Sequence, residues 1–535
     1  MASDPDEFLP AAYPRTWERL PEQARSALRQ SHHDPERVPE SLRSLAADHG
    51  LPEYLPELAE LEATVRHCRQ YAESTDNHPS GLDLNPSLSM VHLQWGGLLE
   101  LVDPDPGSGH EMDGPELLQK ERTGLIWWDP FRERVRLEAA NNWDLLVLKI
   151  VAEDLDVRKV AAGYALRPSR LYGLLHRARA KGLLLGPASR LRRSPEVVPQ
   201  DGPLAREYDT ARIFTLQWHV TDVCDLRCRH CYGGGSPPRH MERETADRVL
   251  REMAELCRTK NVRGQITFTG GNPLLHPEFF EMYQAAVDEG FLVAILGNPL
   301  DTATLERVLA MDCPAQYQVS LEGLREHNDY IRQAGHYHRV LGFLDRLREY
   351  RVPSQVMLTL TRANMDQVLP LAEELRHRAD SFTFNRISLV GHGSALQPPE
   401  VVAYRRFLRD YLEAARDNPV LRLKDNMLNP ALAMQEAAPF GGCTGYGCGA
   451  AFNFLALLPD GQVHACRKFP SPLGSIHDQS LTEIFDSSIA AAYRRAPEAC
   501  LGCSLAPVCR GCPAVVHSFG GDVFRDRDPY CPGPF

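Results

Sequence analysis

Between residues 211 and 395, six short apolar segments alternate with helical ones, and no other feature restricts the fold so tightly. The segments are RIFTLQWHV, QITFTG, LVAIL, AQYQVSL, SQVMLTL and FTFNRISLV, all rich in β-branched and aromatic residues. Between them lie stretches such as TADRVLREMAELCR and MDQVLPLAEELRHR, with apolar residues at intervals of three and four. Parallel strands need a crossover connection, usually a helix, so this alternation predicts a parallel sheet. Six units are too few for a closed eight-stranded barrel. The expected fold is therefore α/β, an open, partial (β/α)6 TIM-like barrel.

The cysteines are unevenly spread. Of 14, only Cys68 precedes residue 200, three lie within CDLRCRHC at 224–231, and eight crowd between Cys443 and Cys531. The start, MASDPDEFLPAAYP, carries acids where a secretory signal would carry bases. No apolar run reaches the length of a membrane span. Net charge is −12, which gives no general attraction to nucleic acid or acidic membranes. These features predict a cytoplasmic protein, where cysteines stay reduced and clusters of them read as metal sites.

Cys224, Cys228 and Cys231 follow the first strand, and in α/β barrels chemistry gathers at the C-terminal strand tips. Structural zinc takes four closed ligands, and iron-sulfur clusters are usually held by four cysteines. Three cysteines leave one position for something that is not protein. A zinc site or chance spacing remains an alternative from these residues alone. Cys68 lies on the apolar face of Leu61 and Val65, Cys257 on that of Leu250 and Met253, and Cys313 precedes a strand; all three read as structural.

C-x3-C-x2-C after the first strand is similar to the signature of radical S-adenosylmethionine (SAM) enzymes. The resemblance implies that Cys224, Cys228 and Cys231 bind a [4Fe-4S] cluster whose fourth iron is chelated by SAM. One electron from it would cleave SAM to methionine and a 5′-deoxyadenosyl radical, which abstracts a substrate hydrogen. TGGNP, Thr269 to Pro273, resembles the family's GGEP motif, with Asn272 in the place of Glu. Gly270, Gly271, Asn272 and Pro273 are thereby implied in binding SAM, Gly270 and Gly271 letting the backbone approach its amino group. In VSLEG, Ser320 matches a polar SAM-binding residue. In SLVGHG, Val390 and Gly391 match the adenine-lining position, and His230 stands where an aromatic residue touches adenine.

The C-terminal cysteines run C-x12-G-x4-C from Cys448, then C-x2-C-x5-C-x2-C from Cys500, then Cys531. Zinc ribbons and iron-sulfur sites fit them equally. Beside a radical SAM core they resemble the SPASM extension, with one residue fewer before Cys512. The family arrangement would assign Cys443, Cys448, Cys466 and Cys512 to one auxiliary [4Fe-4S] cluster and Cys500, Cys503, Cys509 and Cys531 to a second. Three clusters and SAM are then the implied cofactors. Sulfatase-maturing members place an Asp base after the cysteine equivalent to Cys466. Here Arg467 and Lys468 follow it, which disfavours formylglycine formation. No general base is identified; Tyr446 and His464, between auxiliary ligands, are read as facing substrate or as packed and solvated residues.

About 150 residues per domain makes several domains expected in 535 residues. The expected layout is a helical region at 1–85, a winged-helix-like region at 86–195, the barrel at 211–395, a helical bridge at 396–440 and the SPASM region at 441–535. LSMVHLQWGGLLELVD and TGLIWWDPFRERVRLEA read as strands around a polar loop, and three helices follow. RLRRSPEVVPQDGPLAREYD reads as a linker. From Arg158 to Arg193 there are ten Lys or Arg and no acid, so these helices read as a DNA-binding face, a solvated face or a peptide dock. SPASM enzymes mostly modify ribosomally made peptides, and many recognise a leader through a winged-helix-like domain. The implied partners are a precursor peptide, Cys-rich or selenocysteine-containing if the resemblance to selenobiotic maturases holds, and an electron donor such as flavodoxin or ferredoxin. A small-molecule or tetrapyrrole substrate, and an iron-sulfur redox-sensing DNA-binding regulator, are the alternatives.

Overall fold

The computed structural model describes residues 5–31, 35–71, 81–102, 117–130, 132–194, 197, 208–233 and 238–535. The polar loop at 103–116 and most of the expected linker lie outside the described residues. The chain forms two compact units, Met1–Ala188 and Ser189–Phe535.

The first unit opens with helices Pro5–Ala12, Pro14–Arg19, Glu22–Ser31, Val38–His49 and Leu55–Gln70. In the last of these, Leu58, Leu61, Val65 and Cys68 are buried together, at the three- and four-residue spacing of one helical face. A short strand β1 (Asp83–Leu84) precedes an antiparallel sheet of β2 (Ser89–Gly96), β3 (Leu118–Asp129) and β4 (Arg134–Ala139), in the order β2-β3-β4. Two sequence expectations change here. The strand expected through GGLLELVD stops at Gly96, because Gly97 takes a φ of +90° and Leu98–Val102 turns helical. The second stretch makes two strands, reversing direction at Glu133, which also has positive φ.

Helices Asn142–Ala152, Val157–Gly163 and Pro168–Lys181 follow. Asn141 and Asp144 form a capping box for the first, and Asp156 caps the second, so orphan amides at both N-termini are satisfied. Gly182 ends the third with φ +80°. Strand β5 (Leu184–Leu185) then pairs antiparallel with β1.

The second unit is built on one nine-stranded sheet. Strands β6 (Ile213–Thr221), β7 (Arg263–Gly270), β8 (Leu292–Leu296), β9 (Gln316–Ser320), β10 (Ser354–Leu360) and β11 (Ser381–Arg386) are parallel neighbours in chain order. β6 and β11 do not pair, so the barrel is open. The other side of β6 carries β12 (Phe454–Leu457), parallel to it with Leu455 opposite Leu216. Antiparallel β13 (Gln462–His464) and β14 (Pro472–Ser475) complete the sheet. The crossover helices cover it with apolar faces; Ala246, Val249, Leu250 and Met253 of helix Arg243–Lys260 are buried, as the spacing requires. Trp218 stacks on Phe268 at 5.4 Å, filling the core below the strand tips. Residues 190–194, expected as linker, belong to this unit: Leu191 sits in its core, and Arg193 is 4% exposed. Among the described residues no helix is long and apolar enough to cross a membrane.

Candidate active site

The loop after β6 carries the three cysteines. Cys224 and Cys231 are exposed and Cys228 is partly so, and none of the three is in a disulfide. Two contacts fix the loop to its neighbour β7. The amides of Gly271 and Asn272 donate to the carbonyls of Thr221 and Val223, at 2.7 and 2.8 Å. A side chain at Gly270 would place Cβ 2.2 Å from the Thr221 carbonyl oxygen, so this approach requires glycine. The structure therefore uses Gly270 and Gly271 to hold the cysteine loop.

Asn272 donates from Nδ2 to Asp225 at 3.0 Å, and Asn298, just beyond β8, donates to the same carboxylate at 2.6 Å. Asn298 Nδ2 also lies 3.7 Å from Cys224 Sγ. Asn272 Oδ1 is buried and has no hydrogen-bond partner. Pro273 begins the short turn that follows.

Glu322, two residues past Ser320 and the end of β9, is 1% exposed. Its Oε1 accepts from Arg332 Nε at 3.0 Å and Nη2 at 2.6 Å, and stands 3.3 Å from His230 Nε2. Its Oε2 accepts from the Thr359 amide on β10 at 2.7 Å. Burial alone would raise this carboxyl, but His230 and Arg332 outweigh it and hold Glu322 well below the usual carboxylate range. Arg332 Nη1 reaches Cys228 Sγ at 3.7 Å. His230 is thus packed into an ion network behind the cysteine loop. On the far side, Gly391 (φ +56°) passes 2.5 Å from the Tyr232 carbonyl at its would-be Cβ, and the His392 amide donates to the Cys231 carbonyl. Ser320 ends β9, and Val390 and Gly391 follow β11 by four and five residues.

The eight C-terminal cysteines separate into two sets. Burial pushes the thiols of Cys448 and Cys466 up to about 11 and about 12, and the thiols that add to this are Cys512 and Cys443 for the first and Cys512 and Cys448 for the second. Burial likewise raises Cys500 to about 11, with Cys531 and Cys503 beside it, and raises Cys509, with Cys531 and Cys500 beside it. Cys500, Cys503, Cys509 and Cys531 line one small cavity, with Leu505, Ala506 and Pro430 as apolar wall and Arg510, Arg527 and Asp528 also on its lining. Four thiols around a small apolar-walled cavity fit a cluster that replaces their protons with metal. In the shortened gap before Cys512, Arg510 and Gly511 both adopt positive φ, so two residues turn the chain.

A buried ion triad joins this region to the barrel. Arg386 at the end of β11 bonds Asp425 through Nε and Asp528 through both terminal nitrogens, each at 2.8 Å. Asp528 also accepts from the Cys512 amide at 2.9 Å. Tyr446 packs its ring against Phe452, and His464 accepts from the Ser471 amide; both serve local structure. Lys468 reaches the Arg386 carbonyl at 3.0 Å, and the Arg467 guanidinium lies 5.8 Å from the Tyr232 ring. Sequence reasoning missed Glu322, Asn298, Arg332 and Arg386. The first two carry a signal, a polar residue directly beyond an apolar strand; the two arginines carry none.

A three-cysteine loop follows the first strand of a parallel partial barrel, and eight further cysteines lie in the carboxy-terminal region. Residues 218–375 match the radical SAM superfamily, and residues 448–513 match the SPASM iron-sulfur cluster-binding domain. The chain therefore carries a radical SAM domain and a SPASM domain over those residues. It is 24% identical over 339 residues to the AdoMet-dependent heme synthase of Methanosarcina barkeri, a match spanning 59% of this chain and 95% of the relative. It is 24% identical over 346 residues to the mycofactocin maturase MftC of Mycobacterium ulcerans, spanning 59% of this chain and 87% of that one. It is also 24% identical over 321 residues to the Bacillus subtilis subtilosin biosynthesis protein AlbA, 55% of this chain and 66% of the relative. Among solved structures, Streptococcus suis SuiB bound to its precursor peptide SuiA superposes with a TM-score of 0.49 at 16% identity, covering 77% of this chain and 96% of that one.

Proposed function

We propose that the protein is a peptide maturase, acting on a ribosomally made precursor that is Cys-rich or contains selenocysteine. The observation that carries this reading is the first unit's antiparallel sheet, whose edge strands β2 and β4 offer main-chain groups to an added peptide strand. Two of the relatives, a maturase and a bacteriocin biosynthesis protein, are named for this kind of work. Residues 86–195 would bind the leader, and the second unit would modify the core peptide.

In this reading Cys224, Cys228 and Cys231 hold a [4Fe-4S] cluster, and Cys443, Cys448, Cys466 and Cys512, then Cys500, Cys503, Cys509 and Cys531, hold two more. When bound, the first cluster and SAM supply reductive SAM cleavage and a carbon radical able to take hydrogen. The chain's own residues place that chemistry. Asn272 and Asn298 fix Asp225 and with it the start of the loop, while the Glu322–Arg332 pair fixes Cys228 and His230. Ser320, Val390 and Gly391 would contact SAM. Arg467 stands where a carboxylate base serves sulfatase maturation, so formylglycine chemistry is not proposed.

A tetrapyrrole substrate is the second reading, favoured by the heme synthase relatives. An iron-sulfur redox-sensing DNA-binding regulator is the third reading. Of the ten basic residues from Arg158 to Arg193, Lys181 pairs with Glu138, Arg192 pairs with Asp209, Arg170 lies over Trp143, and Arg193 is buried. Anaerobic reconstitution tests the reading: about twelve irons per chain and 5′-deoxyadenosine formed under dithionite are expected. Titrating the full chain with a short Cys-rich peptide encoded beside its gene separates peptide from tetrapyrrole. Absence of binding, or tetrapyrrole turnover, defeats the peptide reading.

A further inference from the structure

Three cations close around the first auxiliary cysteine set, and two of them have no carboxylate. Arg193 and Arg510 are each 4% exposed. Arg193 donates to the carbonyls of Arg494, Tyr446 and Cys448 at 3.1, 3.0 and 2.6 Å, and its guanidinium lies 3.6 Å from the Phe452 ring centre. Arg510 donates to the carbonyls of Ala506, Tyr446 and Cys448 at 3.2, 2.7 and 2.7 Å. Among the described residues, every hydrogen bond that either makes ends on a main-chain carbonyl. Lys468 is the third cation, with Nζ 4.0 Å from Cys512 Sγ.

Burying a guanidinium beside another without an acid is costly, and proteins keep such a charge where something anionic compensates it. Cys448, whose main chain both arginines grip, is one of the thiols of this set. Arg510 adds a second cost. It holds a left-handed backbone, φ +58°, where glycine or asparagine would be easier. Backbone capping alone does not explain a charged residue there. The second set is differently placed. The carboxylate of Asp528 and the guanidinium of Arg527 both act on Cys531, and Arg510 acts on Cys509 and Cys500 as well as on Cys448. Arg510 therefore stands between the sets, while Arg193 and Lys468 serve the first alone. Arg193 also precedes both family-matched regions, so the charge comes from outside them.

We propose that Arg193, Arg510 and Lys468 form a cationic cage that compensates a cluster on Cys443, Cys448, Cys466 and Cys512 and makes it the higher-potential auxiliary site. Net charge and hydrogen bonding around the ligands set iron-sulfur potentials, and nearby positive charge favours the reduced, more negative state. The three are positioning residues. This rests on the cluster assignment proposed above.

The test is an EPR-monitored redox titration of the anaerobically reconstituted full chain, the SAM-bound couple being identified by its response to added SAM. Arg193→Gln and Lys468→Gln should each move one auxiliary couple negative by at least tenfold in the reduction equilibrium, about 59 mV for one electron. Arg510→Gln should move both auxiliary couples, and Arg193→Lys should restore the first. The three-cysteine couple should not move. A wild-type chain that holds zinc, or shows no auxiliary couple, ends the cluster assignment. Intact couples unmoved in Lys468→Gln and Arg193→Gln leave that assignment standing and overturn the cage. Equal loss of one cluster in Arg193→Gln and Arg193→Lys makes Arg193 a fold clamp and overturns it too; should Arg193→Gln not fold, Lys468→Gln decides.

Discussion

Glu322→Gln keeps the shape of a buried side chain and removes its charge. Four contacts converge on this carboxylate: two from Arg332 at 3.0 and 2.6 Å, one from the Thr359 amide at 2.7 Å, and His230 at 3.3 Å. Glu322 is 1% exposed and the Arg332 side chain 13%. An exposed pair of this kind contributes under about 1 kcal/mol. Removing one partner of a buried pair leaves the other uncompensated and costs about 3–5 kcal/mol. The lower bound is about a hundredfold in an opening equilibrium, at 1.4 kcal/mol per decade. Amide hydrogen exchange on the metal-free full chain reads such local opening. Protection at Thr359 and along 224–231 should fall about a hundredfold or more, with protection in the first unit unchanged. The pH dependence has a fixed sign. The Glu322 carboxyl is depressed in the folded protein, so its stabilisation is complete above the unfolded value, about 4.3, and is lost as pH falls below that toward the folded value. The variant's deficit should therefore be constant from about pH 6 to 8 and shrink only in acid. A loss of protection under threefold at neutral pH would refute the claim that this network holds the loop.

Other substitutions probe separate parts of the site. Ser at Cys224, Cys228 and Cys231 together should remove about four irons from the reconstituted chain and abolish SAM cleavage, with the remaining iron retained. Gly270→Ala must push the Thr221 carbonyl from a 2.2 Å overlap; a lower melting temperature and weaker SAM binding are expected, whereas Gly335→Ala, with open space around it but φ +77°, should cost only about 1–2 kcal/mol of backbone strain. Arg386→Met leaves Asp425 and Asp528 buried without their cation and should lower stability by about 3–5 kcal/mol, read by urea unfolding of the second unit. Cys313→Ala, at an exposed position outside the three thiol sets, should leave iron content unchanged.

The six parallel strands were readable because each is a short stretch rich in β-branched and aromatic residues bounded by helical segments, the alternation a parallel sheet requires. Cys224, Cys228 and Cys231 were readable because three cysteines within eight residues, directly after a strand, stand out in the sequence. Arg193 was not, since a charged, Pro-rich stretch reads as linker, and only tertiary packing shows it 4% exposed. Leu98–Val102 misled because an apolar run of that length suits strand or helix equally, and the φ +90° of Gly97 decided it. The Arg386 triad draws on residues 39 and 142 positions away, a separation no local pattern encodes.

Strand β12 has a consequence for how the chain is made. It completes the outer side of β6, the strand whose tip carries the three cysteines, yet some 239 residues separate the paired positions Thr215 and Phe454. Until the ribosome has delivered residue 457, β6 is an apolar edge open to any other strand, the kind of edge that invites aggregation. Expression of a barrel fragment ending before β12 should therefore yield inclusion bodies, and a nascent chain should depend on chaperone protection late in synthesis.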